Sequence, residues 1–275
     1  MSVDGSVAPP CDVQPRTSQS SLRRRLASGP LSAACGRCRI LLAGGSDRPV
    51  GSAGSAAAGV IRYNIPSVSS FRLILVRQGG TAWNRERRFQ GRRDVPLSAE
   101  GRVQAEKTAR ALAGSGAAAI YTSPLGRARE TAEIVAKPHR LPVTAVEAFE
   151  GVSFGVWEGL TAEEVGRTFS GLHGAWRDAP QTVRFPGGED LATARARALR
   201  GIERLQAAHP EETVVVVSHG VIVRLIVLEA LGLPPDRLWA VHASPAGISE
   251  IEYRPGGATV HRMNTLQHLE RPLEP

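Results

Sequence analysis

The stretch FRLILVRQGGTAWNRERRFQGRRDVPLSAEG, running from Phe71 to Gly101, decides how the rest of the chain is read. It opens on the apolar run Leu73-Ile74-Leu75-Val76, short, partly β-branched and closely followed by a glycine pair, which predicts a buried strand. The strand delivers Arg77 into a loop. Gly79 and Gly80 are expected to bend that loop without Cβ clashes and to bring main-chain N–H groups close to a ligand. Five more arginines follow, at positions 85, 87, 88, 92 and 93. A cationic, glycine-bent mouth at a strand end suits an anion. The plainer possibility is a loop of arginines that simply face water.

Downstream, Ser98 is an N-cap and Glu100 a first-turn acid for a helix running to about Ala113, with Val103, Ala109 and Leu112 as its apolar stripe. Gly114 and Gly116 stop it, and Ala117 to Tyr121 reads as a second strand. Thr122-Ser123-Pro124 puts a potential cap and a proline at the next strand-to-helix junction, with Arg127 about one turn into the helix, either beside the strand end or paired with Glu130. A strand near Val143 to Val146 follows. Residues 160 to 188 are rich in Gly, Pro and polar groups and read as an irregular lid. Trp176, Arg177, Arg184 and Phe185 are its candidate ligand contacts, although Trp176 and Phe185 could equally pack the lid onto the body.

From Glu189 to Ala208, apolar residues recur at helical steps with the arginines outward, and Thr213 to Val217 reads as a fully buried parallel strand. Ser218-His219-Gly220 and a helix from about Val221 to Leu231 come next. His219 thus lies at a strand's carboxyl end and just before a helix N-terminus, a position suited to an anion. Strands alternating with helical segments predict an α/β three-layer sandwich, with a mostly parallel central sheet and helices on both faces.

Residues 1–70 differ in kind. They are rich in Ser, Ala, Gly and Pro without a sustained period, which predicts a disordered basic segment and a domain boundary near Ser70. The formal charge of +8 is concentrated there: the segment holds 8 Arg and 3 Asp, leaving 26 basic and 23 acidic residues in the body. Because the excess lacks interleaved aromatics, nucleic acid is disfavoured as a partner. The segment reads either as a transit-like leader or as translation from a misassigned start. No 18-residue apolar run exists, so no membrane association is expected and a cytoplasmic setting is the default. All three cysteines, Cys11, Cys35 and Cys38, fall in this segment; Cys35 and Cys38 lack a second ligand pair and read as incidental.

The order Arg77, Gly79, Thr81, Trp83-Asn84, Arg88, Gln90-Gly91, Asp94, Pro96-Leu97, Gly101, Gln104-Ala105 resembles the signature of the histidine phosphatase family, which includes cofactor-dependent phosphoglycerate mutases. The resemblance continues through SPLGRARETA, FGVWEG, PGGED and VVVVSHG, from Phe71 to the end of the chain. It implies a phosphoglycerate mutase-like domain over 71–275 with a lid insertion near 160–188. It also implies a pocket in which Arg77, Asn84, Arg127, His219 and Gly220 hold a phosphoryl group and Arg88, Gln90 and Gly91 meet the substrate. No cofactor and no metal are implied, and His242, His261 and His268 show no metal-ligand spacing.

Three positions depart from the family pattern. Where the family carries its nucleophilic histidine this chain has Gln78, and counting back four residues from Gly155 puts Gly151 at the general-acid position. Gly80 also stands where Glu or Gln is common. Glu150 is the carboxyl next door; one residue along a strand turns a side chain to the other face, so reaching the pocket would require a local bulge or shift of the chain. An amide has no basic lone pair to attack phosphorus. The expected protein binds a phosphate monoester but is catalytically impaired or inactive. The alternatives are an active phosphomonoesterase or phosphoglycerate mutase-like phosphotransferase using Glu150 with a water, or His219 as nucleophile, and a pocket put to another reaction or a structural use. Its expected partner is a phosphorylated small molecule or phosphate, and the sequence specifies no oligomeric state.

Overall fold

The computed structural model of the protein describes residues 70–270. The expectations for residues 1–70, including all three cysteines, lie outside the described residues apart from Ser70. In chain order the elements are β1 Phe71–Arg77, α1 Ala82–Arg85, α2 Ala99–Leu112, β2 Ala117–Thr122, α3 Gly126–Ala136, β3 Val143–Ala145, α4 Ala162–Thr168, α5 Ser170–Asp178, α6 Leu191–Ala208, β4 Thr213–Ser218, α7 Gly220–Ala230, β5 Ile248–Arg254, β6 Gly257–Thr265 and α8 Gln267–Glu270.

The sheet order is β3-β2-β4-β1-β5-β6. The first four strands are parallel, with Arg72 opposite Thr213 and Arg77 opposite Ser218, whereas β5 and β6 run antiparallel at the other edge. Alternation along the central strands splits the core in two. Leu73, Leu75, Val214 and Val216 pack with α6 and α7 on one face, and Ile74, Val76, Val215 and Val217 pack with α2 and α3 on the other. Both sheet faces are therefore covered, which is why β4 could be apolar at every position from Val214 to Val217.

Several local expectations are corrected. Val103 is exposed; the inward face of α2 is Gly101, Ala105, Thr108, Ala109 and Leu112, so small residues let this helix lie close to α3 and the site loop. The stretch 160–188 is largely helical, through α4, α5 and a 3-10 turn at Pro180–Thr182. Trp176 and Phe185 are 5% and 3% exposed and stack edge-on with Phe154, while the Arg184 side chain is largely exposed and pairs with Asp190. The aromatics thus fasten this region to the core. Among the described residues no helix is long and apolar enough to cross a membrane.

Candidate phosphate site

Three parallel strands end side by side, and each hands the chain to a site residue. β1 ends at Arg77 and continues to Gln78, whose N–H donates to the Ser218 carbonyl at 2.9 Å. β2 is followed by Ser123, whose N–H donates to the Val217 carbonyl at 3.0 Å, and α3 then carries Arg127 in its first turn. β4 is followed by His219, directly before α7. Carboxyl ends of neighbouring parallel strands are where open α/β sheets bind ligands.

These ends enclose a cavity of about 200 Å³. Arg77, Gln78, Asn84, Arg88, Gln90, Gly91, Arg127, Gly151, His219 and Gly220 all line it, whereas Glu150 and the candidate contacts Trp176, Arg177, Arg184 and Phe185 do not. The Glu150 carboxylate pairs with Arg92 at 3.2 Å. The segment before it is a 3-10 turn at Glu147–Phe149 and not a strand, so a strand's two-faced alternation does not govern residues 150 and 151. Gly151 does face the cavity. A Cβ there would stand 2.9 Å from the Gly91 carbonyl oxygen and 3.4 Å from the His219 ring.

The cations are held by neutral groups. Arg77 donates through Nη1 to the Ala243 carbonyl at 2.5 Å, and Arg127 donates to the carbonyls of Arg93 at 2.7 Å and Gly91 at 2.6 Å. Arg127 is 1% exposed, and Glu130 pairs with Arg102 and not with it. The Nε atoms of both arginines are buried without an acceptor. Burial pulls the Arg77 guanidinium down to about 10, helped by Arg224 and then Arg127; burial also pulls Arg127 to about 10, against the opposing fields of Asp94 and Glu158. Both remain protonated at neutral pH.

His219 is 6% exposed and places Nε2 2.7 Å from the Ser123 hydroxyl, while its Nδ1 is buried without a partner. Burial, then Arg127, Arg77 and Arg197, hold its pKa well below the usual histidine value, so the ring is neutral. Asn84 Oδ1 accepts from the main-chain N–H and the hydroxyl of Thr81, which fixes the amide against the start of α1. No side chain caps α7, and Gly220 and Val221 line the cavity. Of the loop arginines, Arg85, Arg87, Arg92 and Arg93 are exposed, and only Arg88 reaches the cavity.

The glycine pair has a different task from the one expected. Gly79 N–H donates to Thr131 Oγ1 at 3.1 Å and Gly80 N–H to Gln104 Oε1 at 2.9 Å, so neither points at a ligand. Gly79 is bare because a Cβ would collide with the Gly101 carbonyl of α2.

Buried cations, a neutral imidazole and the uncapped start of α7 meet at one cavity, and a model of the histidine phosphatase superfamily, branch 1, matches residues 73–266. The chain belongs to the histidine phosphatase superfamily. It is 33% identical over 198 residues to phosphoserine phosphatase 1 of Hydrogenobacter thermophilus, covering 72% of this chain and 94% of that one. It is 31% identical over 215 residues to a probable phosphoglycerate mutase of Salmonella paratyphi C, covering 73% and 96%. Among solved structures, YhfR of Bacillus stearothermophilus superposes with a TM-score of 0.70 at 33% identity, covering 73% of this chain and all of that one. The six-stranded mixed sheet with helices around it is thus the phosphoglycerate mutase-like fold of this superfamily.

Sequence reasoning passed over three residues of this histidine phosphatase pocket. Arg224 lines it from α7, and its signal was present: it is the lone basic residue in the apolar run GVIVRLIVLEA, four residues after Gly220 and so on the same helix face. Arg197, expected to face outward, turns in: it grips Glu189 at 2.6 Å and donates to the carbonyls of Ala148 and Gly151 at 2.9 and 3.1 Å. Ser123, the third, orients His219. Among the described residues no group of three or more His, Cys, Asp or Glu is arranged to hold a metal ion.

Proposed function

We propose that this chain binds a phosphate monoester in the cavity between Arg77, Arg127 and His219 and turns it over poorly or not at all. The observation that carries the reading is that the buried cations Arg77 and Arg127, neither paired with a carboxylate, line one cavity with His219 and an amide at position 78. Guanidinium charge without a carboxylate partner leaves the cavity positive, and a phosphoryl dianion matches that charge and the guanidinium geometry. Gln78 stands at the family's nucleophile position and Gly151 at its general-acid position. Neither can form a phosphoenzyme or protonate a leaving group.

The relatives' names point to phosphorylated small molecules, and we take a small phosphorylated metabolite as the ligand. A cytoplasmic setting belongs to the same proposal, since the body from Phe71 onward contains no cysteine, as suits a reducing compartment. One observation favours the alternative of turnover through displaced groups: His219 lines the cavity and is held neutral, as a nucleophile requires. Glu150 as a displaced acid would first have to leave Arg92.

The test compares wild type, Gln78→His and Gln78→His/Gly151→Glu on aryl and alkyl phosphates. Wild type should show little turnover and no acid-labile phosphohistidine. The single variant should form a trace of phosphoenzyme and respond more on the aryl ester, whose leaving group needs no proton. The double variant should extend turnover to alkyl esters, provided the Gly91 carbonyl yields a few tenths of an ångström to the new Cβ. Robust wild-type hydrolysis would reject the impaired-enzyme reading, and its persistence in His219→Ala would reject the pocket as well.

A further inference from the structure

A second cavity, of about 680 Å³, opens at the other end of the sheet, where β1 begins and β5 turns into β6. α7 runs between the two cavities. Its first residue, Gly220, lines the candidate phosphate site, and its last two, Glu229 and Ala230, line this one. A helix carries partial positive charge at its N-terminus and partial negative charge at its C-terminus, so the end of α7 at this cavity is the negative one. α6 also ends here, with Gln206 of its last turn in the wall.

The usual complement to those helix ends is missing. Neither α6 nor α7 has a basic residue in its last turn, and α7 has Glu229 there, where the helix's own field disfavours a carboxylate. Arg195 of α6 pairs with Glu229 and meets part of that charge. Glu211 adds a second carboxylate to the wall and has no ion pair among the described residues. It sits at φ 64°, where Gly or Asn is the usual choice, so the turn itself calls for no acid. Among the described residues of the wall the basic one is Arg254, and both oxygens of Glu252 already hold it, at 2.8 and 2.9 Å.

The remaining wall is largely apolar. Phe71 and Tyr253 lie against each other, with ring centroids 6.0 Å apart and planes tilted by 38°. The Tyr253 hydroxyl is buried, so this residue does not show its oxygen to the cavity. Pro210, Pro255 and Ala258 extend the apolar surface. Carboxylates beside aromatic rings, with two helix C-termini behind them, suit a cation that brings its own apolar body.

We infer that this cavity binds an organic ammonium ion with an apolar or aromatic body, its charge toward Glu211 and Glu229 and its body against Phe71 and Tyr253. α7 then serves an anion at one end and a cation at the other. The inference goes beyond the phosphate reading and holds or fails without it.

Three probes built on one skeleton test it on the full chain: benzylammonium, benzyl alcohol and benzoate, which carry one positive charge, none and one negative charge. Binding is followed by NMR through the main-chain amides of Gly232 and Gly257, both in the wall. Benzylammonium should shift both amides saturably and bind about fivefold more tightly than benzyl alcohol, with benzoate weakest. Glu211→Gln/Glu229→Gln should bring the ammonium down to the affinity of the alcohol. Glu211→Gln alone, which leaves the pair between Glu229 and Arg195 intact, should remove part of the preference. In wild type, an alcohol bound as tightly as the ammonium, or a benzoate bound more tightly, would overturn the inference. A preference that survives in the folded double variant would do the same, as would a titration in which neither glycine amide responds to benzylammonium.

Discussion

Two sets of arginines serve this site in opposite ways. Arg197 and Arg92 are matched within the protein: Arg197 grips both oxygens of Glu189 and the carbonyls of Ala148 and Gly151, and Arg92 bridges Glu150 and Glu189. Arg77, Arg127 and Arg224 face the cavity with carbonyls or an aromatic ring for company and no paired carboxylate. The matched set is complete without a ligand and holds the segment around Gly151 in place. The unmatched set leaves a positive field in the cavity, and the proposed phosphate ligand would neutralise it. Arginine content alone says nothing about which role a residue plays; the placement of carboxylates does.

The largest effect should come from deleting the unmatched set. Arg77→Ala/Arg127→Ala is expected to weaken phosphate binding about a thousandfold by calorimetry, as two charge-assisted contacts are lost. Unchanged binding would break the comparison. Next in size, Arg197→Leu should lower stability in urea by about 2 kcal/mol, because Glu189, a largely buried charge, keeps only the 3.5 Å contact to Arg92 as its ion pair. Arg77→Leu should cost less than about 1 kcal/mol or stabilise, since no carboxylate is orphaned. Equal losses in the two variants would show that both arginines are scaffold.

The pH dependence is smaller and has a definite sign. His219 is held below the ordinary histidine pKa by burial and then by Arg127, Arg77 and Arg197, so below about pH 6.5 the unfolded chain binds a proton that the folded chain refuses. Its contribution to stability is full above that pH and is lost as pH falls toward the folded value. Urea titrations between about pH 8 and about pH 5 should show this slope, flattened in His219→Asn and by saturating phosphate, whose charge offsets the arginines. A slope that phosphate leaves untouched would detach His219 from the unmatched set. The smallest effect is expected for Thr81→Val, which removes the cap holding Asn84: about 1 kcal/mol of stability with a modest loss of phosphate affinity.

Much of this was legible because strand ends announce themselves. The apolar runs before Arg77 and His219, and the strand-to-helix junction before Arg127, place three side chains at adjacent carboxyl ends without any knowledge of packing. Residues whose task depends on facing direction were not legible. Arg197 sits in a helix whose other arginines look outward, and its inward turn is set by Glu189 and by carbonyls more than forty residues away in sequence. Glu150 was weighed as though it lay in a strand, but a 3-10 turn precedes it and Arg92 claims its carboxylate. Trp176 and Phe185 read as ligand contacts or packing with equal ease, since aromatic residues in a polar stretch serve both, and burial among Phe154 and Trp157 decides for packing.

The contact between Gly79 and Gly101 is made by main-chain atoms alone. No rotamer stands between Gly79 and α2, so the loop directly after Gln78 cannot yield toward the helix, and the soft contact lies one residue on, where the Gln104 side chain holds the Gly80 N–H. A ring introduced at position 78 must therefore find its place by its own two torsions.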